Sequence, residues 1–186
     1  MKKTAALVAL LLVACGGDDD DAAPAATTAA PTTSTTAAEV EPLTVLVTND
    51  DGVGAPGIDA LVQALIDDPQ LEVVVVAPAE NQSGSGDDTT VGAAASPATT
   101  ASGYEAVQVD GRPADAVNHA LDVVLADDPP DLVISGINEG QNLGPIVDIS
   151  GTVGAARTAA RRGIPAVAVS QGLPPAGFEP DYEAGV

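Results

Sequence analysis

The sequence from residue 43 onward predicts an α/β fold in which a mainly parallel sheet carries helices on both faces. Short apolar runs rich in β-branched residues recur along this part of the chain, and the segments between them place apolar residues at helical spacing. Strand and helix patterns that alternate in this way are typical of parallel sheets joined by crossover helices. Ligands in such folds bind at the carboxyl ends of the strands, so the loops that follow the strands are the first candidates for a site.

The first predicted elements are a strand, a helix and a second strand. Residues 43–48 form a short apolar run with β-branched side chains, which predicts a buried strand. Residues 71–76, with four consecutive valines, predict the next buried strand. The helix between them has an apolar face that consists of Ile58, Leu61, Val62 and Leu65.

The middle of the domain is less regular. Residues 83–103 are rich in Gly, Ser, Thr and Ala without any period, which predicts a long surface loop. Residues 104–109 predict a weaker third strand, because Glu105 and Gln108 interrupt its apolar run. Pro113 is suited to the first turn of a helix. The apolar face of that helix consists of Val117, Ala120, Leu121 and Val124.

The last predicted elements are again a strand, a helix and a strand. Residues 131–135 and 166–170 are apolar runs that predict buried strands. Residues 152–162 predict a helix, and Gly163 is suited to closing it. Three strand-end loops therefore deserve inspection, those after Thr48, after residue 76 and after Ser135.

The first fourteen residues have the pattern of a secretory signal. Lys2 and Lys3 precede an apolar run over residues 5–14. That run is shorter than the roughly 20 residues that a membrane-spanning helix needs. The sequence before Cys15 resembles the lipobox of bacterial lipoproteins, which predicts a signal peptide over residues 1–14 and a lipid on Cys15. We expect export and lipid anchoring on the outer face of the bacterial cytoplasmic membrane; a plain signal peptide with an incidental cysteine is the alternative.

Residues 15–42 predict a disordered stalk between the lipid and the domain at 43–186. They consist mainly of Ala, Thr, Asp and Pro with almost no large apolar side chain, so they cannot bury enough surface to offset chain entropy. Once the signal is removed, four arginines oppose all 27 acidic residues. Such a surface repels DNA and long RNA and meets the membrane only through the lipid. A small anionic substrate needs a local positive centre.

The loop after the first strand contains two adjacent aspartates, Asp50 and Asp51. Gly52, Gly54 and Gly57 satisfy a dinucleotide-binding pattern, but two carboxylates at the loop mouth repel a diphosphate. A calcium loop is excluded because no glutamate stands at the twelfth position counted from either aspartate. Hard carboxylate oxygens without a Cys or His cluster favour one divalent ion, Mg²⁺ or Mn²⁺. The alternative is that Asp-Asp-Gly only makes a turn.

Two further loops and one helix end meet the same edge of the sheet. The loop at 81–86 adds a hydroxyl and the loop at 135–144 adds an amide carbonyl, with glycines that let backbone amides face an anion. Ser150 is suited to the N-cap of the helix that follows. Free N–H groups at a helix N-terminus bind phosphate, although an ordinary capped helix explains the same residues.

Six motifs taken together resemble the survival protein E (SurE) nucleotidases. They are Val45 to Gly52, Ala77-Pro78 with Asn81 to Gly84, Gly111 to Asp115, Ser135 to Asn138, Asn142 to Gly144, and Ser150 to Val153. The resemblance implies a Rossmann-like, doubly wound core and a metal-dependent 5′/3′-nucleotidase. It further implies metal ligation by Asp50, Asp51, Ser83 and Asn138. Phosphate contacts would come from Asn142, Ser150, Gly151 and Thr152.

The function expected from the residues and the resemblance is hydrolysis of nucleoside 5′-monophosphates by a metal-activated water, and the sequence leaves open whether 3′-monophosphates are hydrolysed as well. Asp50 or Asp51 would orient or deprotonate that water, and both assignments stay open. The alternative is a lipoprotein that binds nucleotides or phosphate without turnover. Release of many phosphates per protein molecule from a nucleoside monophosphate would distinguish catalysis from binding alone.

Two further expectations concern the histidine and the C-terminal end of the domain. His119, the one histidine of the chain, lies beside a predicted helix face away from the loops, so we expect a structural or surface role. The family continues beyond the equivalent of Val186, so we expect this chain to lack the C-terminal part that covers the sheet. A homo-oligomer is expected of full-length relatives and not of this chain.

Overall fold

The computed structural model describes residues 41–182, which form one six-stranded sheet with three α-helices packed on it. The strands are β1 (Leu43–Thr48), β2 (Leu71–Pro78), β3 (Ala95–Thr99), β4 (Glu105–Val109), β5 (Leu132–Glu139) and β6 (Ala166–Gln171). The helices are α1 (Pro56–Ile66), α2 (Pro113–His119) and α3 (Gly151–Arg161). The predicted signal peptide, Cys15 and nearly all of the predicted stalk lie outside the described residues.

The strands follow the order β3-β4-β2-β1-β5-β6, with β1 near the centre. Five strands run parallel, and β3 pairs antiparallel with β4 at the edge. Val45 of β1 is in register with Val73 of β2 and with Leu132 of β5. The carboxyl ends of these three central strands therefore meet at one edge, and the predicted α/β class is confirmed.

The alternation of side chains along β1 divides the core between the two faces of the sheet. Val45 and Val47 pack with Ile58 of α1 on one face. Leu46 packs on the other face with Val117 of α2 and with α3. Because successive side chains of a strand point to opposite faces, one short apolar run supplies both cores. Helices cover both faces, as predicted.

The predicted surface loop at 83–103 contains a strand, so that prediction was wrong over Ala95–Thr99. Most of β3 is exposed and carries no apolar alternation, which is why the hydrophobic pattern did not reveal it. Pairing with β4 provides its hydrogen bonds. Pro97 is tolerated because a proline fits an edge strand that needs no donor on its outer side.

Two other elements differ from their predicted form. β5 continues from Ser135 to Glu139 through an irregularity in its pairing with β6. Gly136 permits this path, because a Cβ there would lie 2.4 Å from the carbonyl oxygen of Val169. A π-helical segment, Ala120–Val124, continues α2 and widens the turn. Val124, expected on the buried face, is consequently 39% exposed.

The last described residue packs on one face of the domain. Tyr182 packs against the core cluster on the α1 face.

His119 ends α2, close to the C-terminus of α3, where Arg162 donates to Asn118. Within residues 41–182 we find no helix with the length and apolar character needed to cross a membrane.

Candidate functional site

The loop after β1 is shaped by Asn49, a fully buried side chain that bonds to the backbone of Gly52. The Asn49 amide donates to the Gly52 carbonyl at 2.8 Å, and the Gly52 N–H donates back to Asn49 Oδ1 at 3.3 Å. Gly52 has a φ of 106°, which favours glycine. This closed turn presents Asp50 and Asp51 at the carboxyl edge of the sheet.

Asp50 is a buried carboxylate, 3% exposed, that faces the N-terminus of α3. The Thr152 hydroxyl donates to Asp50 Oδ1 at 2.7 Å. The backbone amides of Thr152 and Gly151 also hydrogen-bond to this carboxylate. Burial raises the pKa of Asp50 above its ordinary value, and these hydrogen bonds offset part of that rise.

The close approach of α3 to Asp50 requires a glycine at position 151. A Cβ on Gly151 would lie 2.6 Å from the Asp50 Cβ and 3.0 Å from the Pro113 Cγ. Both distances are too short for carbon atoms, so any other residue would push the helix away from the carboxylate. Gly151 therefore sets the position of α3, a role that its placement in a helix-start motif did not reveal.

Asp51 is less enclosed than Asp50 and links the three loops. Its Oδ1 accepts from the Asn81 amide at 3.1 Å, and its Oδ2 accepts from the Glu139 N–H at 3.1 Å. The pKa of Asp51 is raised, mainly by burial and further by repulsion from Asp50 and Glu139. Asn81 also accepts from the Ser83 N–H at 2.9 Å, which ties the hydroxyl-bearing loop to Asp51.

A cavity of about 200 Å³, here called the Asp50 cavity, brings most of the predicted site residues together. Its lining includes Asp50, Ser83, Asn138, Asn142 and Ser150. The Asn138 amide group donates to the Gly140 carbonyl at 2.6 Å, so its oxygen is the atom available to a cation. The convergence that the three strand-end loops predicted is therefore present in the fold.

The helix-end residues have more specific contacts than the sequence indicated. Ser150 caps α3 by accepting from the Val153 N–H at 3.2 Å. Asn142 donates to the Ser170 hydroxyl at 2.8 Å and to Thr152 Oγ1 at 3.3 Å. Thr152 is fully buried and bonded to Asp50, so its hydroxyl does not line the cavity. Phosphate contacts by Asn142 and the 150–152 turn stay predictions.

No cationic side chain among residues 41–182 neutralises the two carboxylates. Each arginine there pairs with an aspartate outside the Asp50 cavity, in the pairs Arg112–Asp88, Arg157–Asp148, Arg161–Asp87 and Arg162–Asp122. Two adjacent carboxylates with raised pKa values therefore lack the positive partner that buried charges need. A bound cation would supply it.

The donor set around the Asp50 cavity fits a hard cation. In the described part of the chain, no three His, Cys, Asp or Glu side chains converge as a metal site. The Ser83 hydroxyl and the Asn138 carbonyl belong to residues that line the cavity, and they would complete a site built on Asp50 and Asp51. All four are oxygen donors, which Mg²⁺ and Mn²⁺ prefer over sulfur or imidazole.

Sequence reasoning missed four residues that shape the site. They are Asn49, Asn81, Glu139 and Tyr182. Asn49 and Asn81 stand inside motifs that the sequence singled out, and Glu139 lies in the loop at 135–144, so the available signal was their position in loops predicted to lie near the aspartates. Tyr182 stands far along the chain in a segment without periodicity, and no pattern indicated its position.

Comparison with protein families agrees with this geometry. The family described as "Survival protein SurE" matches residues 45–184. The chain belongs to the SurE family. The match spans every predicted metal and phosphate residue, from Asp50 to Thr152.

Individual SurE relatives match over the same region. A protein of Carboxydothermus hydrogenoformans named 5′-nucleotidase SurE is 48% identical over 133 residues, covering 70% of this chain and 50% of its own length. One of Methanopyrus kandleri with the same name is 44% identical, covering 69% of this chain and 49% of its own length. This SurE chain thus spans about half the length of the curated relatives it matches.

A solved structure shows the same fold. The crystal structure of the SurE protein from Aquifex aeolicus matches with a TM-score of 0.63 at 41% identity. The match covers 75% of this chain and 54% of that one. The Rossmann-like, doubly wound core is therefore confirmed as the SurE fold.

Proposed function

We propose that this SurE chain carries the catalytic site of a metal-dependent phosphomonoesterase that releases phosphate from nucleoside 5′-monophosphates, and from 3′-monophosphates as well. The observation that carries the proposal is the Asp50–Asp51 pair, two carboxylates with raised pKa values that pair with no arginine among residues 41–182. Relatives at 44–48% identity are named 5′-nucleotidase SurE, which supports this reaction class.

One divalent ion, Mg²⁺ or Mn²⁺, fits the oxygen donors of Asp50, Asp51, Ser83 and Asn138. When bound, such an ion supplies Lewis-acid activation of water and neutralises charge on a phosphoryl group. Ser83 is held by the bond from its N–H to Asn81, and Asn138 by the bond from its amide to Gly140. The protein thus orients these oxygen donors in advance.

The two aspartates have different roles in this proposal. Asp50 is enclosed by the Thr152 hydroxyl and by two backbone amides, so it holds a fixed negative charge. Asp51 is more open, and burial together with the nearby Asp50 and Glu139 carboxylates raises its pKa. The pKa of Asp50 is raised as well, so exposure distinguishes the two: Asp51, the partly exposed carboxylate, orients and deprotonates the attacking water.

Phosphate lies in the Asp50 cavity over the start of α3. Asn142 and Ser150 line this cavity at the positive end of the eleven-residue helix. The helix offsets negative charge that develops on the phosphoryl oxygens during hydrolysis. The first backbone amides of α3 already bond to Asp50. The N-terminus of this helix and the proposed metal site therefore lie next to each other.

The test of this proposal is a phosphate-release assay under multiple-turnover conditions. The full chain is incubated with 5′- and 3′-nucleoside monophosphates in the presence of Mg²⁺, Mn²⁺ or chelator. We expect many phosphates per protein molecule with metal and none with chelator. Nucleotide binding without turnover would contradict the enzymatic proposal.

We also propose that the protein is exported and anchored by a lipid on Cys15, on the outer face of the bacterial cytoplasmic membrane. The support is the short basic and apolar pattern of residues 2–14 followed by cysteine. The acidic composition of the chain keeps its surface away from anionic lipid and nucleic acid.

A further inference from the structure

The last strand, β6, ends next to residues that line the Asp50 cavity, and we propose that Ser170 of this strand is a positioning residue for the metal site. Ser170 is in register with Asn138 of β5, one of the proposed oxygen donors. Its hydroxyl acts on Asp50 through the side chains of Asn142 and Thr152. The inference rests on the proposed function, because it assigns a residue that orients one of the proposed metal ligands.

A chain of three hydrogen bonds joins Ser170 to Asp50. The Asn142 amide donates to Ser170 Oγ at 2.8 Å and to Thr152 Oγ1 at 3.3 Å. The Thr152 hydroxyl then donates to Asp50 Oδ1 at 2.7 Å. These residues belong to β6, the loop after β5, the start of α3 and the loop after β1. The chain of bonds therefore links four segments that are far apart in sequence.

The number of available protons fixes the direction of these bonds. Thr152 has one hydroxyl proton, which it donates to Asp50. The Thr152 oxygen can therefore only accept from Asn142, so the NH₂ group of that amide faces it. The second N–H of the same group is donated to Ser170. Ser170 thus holds the Asn142 amide beside Thr152, where it satisfies the hydroxyl that bonds to Asp50.

Burial makes the end of this chain sensitive to the loss of a partner. Asp50 and Thr152 are both buried, whereas Asn142 and Ser170 are partly exposed. A buried polar group that loses its partner is not readily satisfied by water. The donors that the protein supplies therefore fix the direction of the Asp50 carboxylate. Contacts that orient a metal ligand in this way increase its affinity for the ion.

Two other hydrogen bonds hold the loop after β5 to β6 and the residues that follow it. The Gly140 N–H donates to the Gln171 carbonyl at 3.0 Å. The Leu173 N–H donates to Gln141 Oε1 at 3.1 Å. Neither bond uses the hydroxyl of Ser170. Removal of that hydroxyl therefore leaves the loop attached and affects only the contact with its asparagine side chain.

The test measures the affinity of the full chain for Mn²⁺ without substrate, by electron paramagnetic resonance of the free ion. Ser170→Ala removes the hydroxyl and Ser170→Thr keeps it. Ser96→Ala is the matched control, because Ser96 lies on the edge strand β3 and accepts from Gln108 at 3.2 Å. We expect Ser170→Ala to bind Mn²⁺ about three- to ten-fold more weakly than the wild type, as the loss of one hydrogen bond predicts. Ser170→Thr and Ser96→Ala should bind it like the wild type.

A double-mutant cycle shows whether Ser170 acts through Asn142. We expect Asn142→Ala to weaken Mn²⁺ binding by itself, and Ser170→Ala to cause no further loss in that background. Urea denaturation of each protein confirms that the fold is retained. Wild-type Mn²⁺ affinity in a folded Ser170→Ala protein, or a loss of equal size in the Asn142→Ala background, would overturn the positioning role.

Because Mn²⁺ binding is measured without turnover, this inference and the proposed reaction fail in different ways. Weaker Mn²⁺ binding by Ser170→Ala in a chain that releases no phosphate would contradict the proposed reaction and leave the positioning role standing. Unchanged Mn²⁺ binding by Ser170→Ala in a chain that does release phosphate would contradict the positioning role alone. A wild type that binds no Mn²⁺ would overturn both.

Discussion

The hydroxyl of Thr152 donates a 2.7 Å hydrogen bond to Oδ1 of Asp50, and this bond joins the start of α3 to the loop after β1. Both residues are almost completely buried. The contact spans 102 residues of sequence and couples the two parts of the site that a metal and a phosphate would share.

Replacing Thr152 by valine keeps the shape of the side chain and removes the hydroxyl. Because the buried Asp50 carboxylate then loses a donor, we expect a loss of about 1–3 kcal/mol in the free energy of unfolding. Thr152→Ser retains the hydroxyl and serves as the control. Urea denaturation of both variants measures the difference, and a Thr152→Val protein as stable as the wild type would show that the bond contributes nothing.

Replacing Gly151 by alanine places a Cβ only 2.6 Å from the Asp50 Cβ. We expect a loss of about 1–3 kcal/mol in stability from overpacking, together with weaker metal binding as α3 moves away. Gly172→Ala is a suitable control because a Cβ there meets no atom within 4 Å. Equal stability and metal affinity for the two variants would remove the close-approach argument.

The Asp87–Arg161 pair fastens the loop that carries Ser83 to the end of α3. The hydrogen bond from Arg161 lowers the pKa of Asp87 below its ordinary value of 3.8. The stabilisation is therefore complete above pH 3.8 and is lost as the pH falls through the lowered pKa. Since the pair is largely exposed, we expect a coupling below about 1 kcal/mol.

A double-mutant cycle with Asp87→Asn and Arg161→Gln measures this coupling at pH 7 and again near pH 2. We expect a small positive coupling at pH 7 that shrinks in high salt and weakens as the pH falls. A coupling that is unchanged in acid would show that the Asp87 charge plays no part in fastening the loop.

The proposed lipid anchor makes a separate prediction about location. If Cys15 is acylated, the chain expressed in a bacterial host fractionates with membranes, and Cys15→Ser either releases it or leaves the signal uncleaved. Membrane fractionation and immunoblotting measure both effects. The same distribution and processing for wild type and Cys15→Ser would rule out the anchor.

The sequence predicted the parts of the site that local pattern determines. Asp50 and Asp51 follow a strand with clear periodicity, and parallel topology then brings their loop to those of Ser83 and Asn138. The edge strand β3 was missed because its stability comes from backbone pairing with β4, which leaves no hydrophobic period.

Contacts between distant segments were beyond sequence reasoning. The bond between Thr152 and Asp50 and the packing of Tyr182 near Gly57 depend on how helices and loops approach one another, to within an ångström. The sequence placed Thr152 at a helix start but could not indicate that its hydroxyl faces a carboxylate.

The central claim is that Asp50 and Asp51 hold the metal on which phosphate release depends, and Asp51→Asn tests it most directly. An amide keeps the side-chain shape but removes one charge and can accept only one of the bonds from Asn81 and Glu139. Asp128→Asn, at an exposed aspartate that does not line the Asp50 cavity, is the control.

The decisive measurement is the rate of phosphate release from a nucleoside 5′-monophosphate as a function of Mn²⁺ concentration for these three proteins. We predict that wild type and Asp128→Asn share one metal dependence, whereas Asp51→Asn needs at least ten times more Mn²⁺ and turns over more slowly. Wild-type rates for Asp51→Asn at limiting Mn²⁺, or release that chelator does not reduce, would contradict the account.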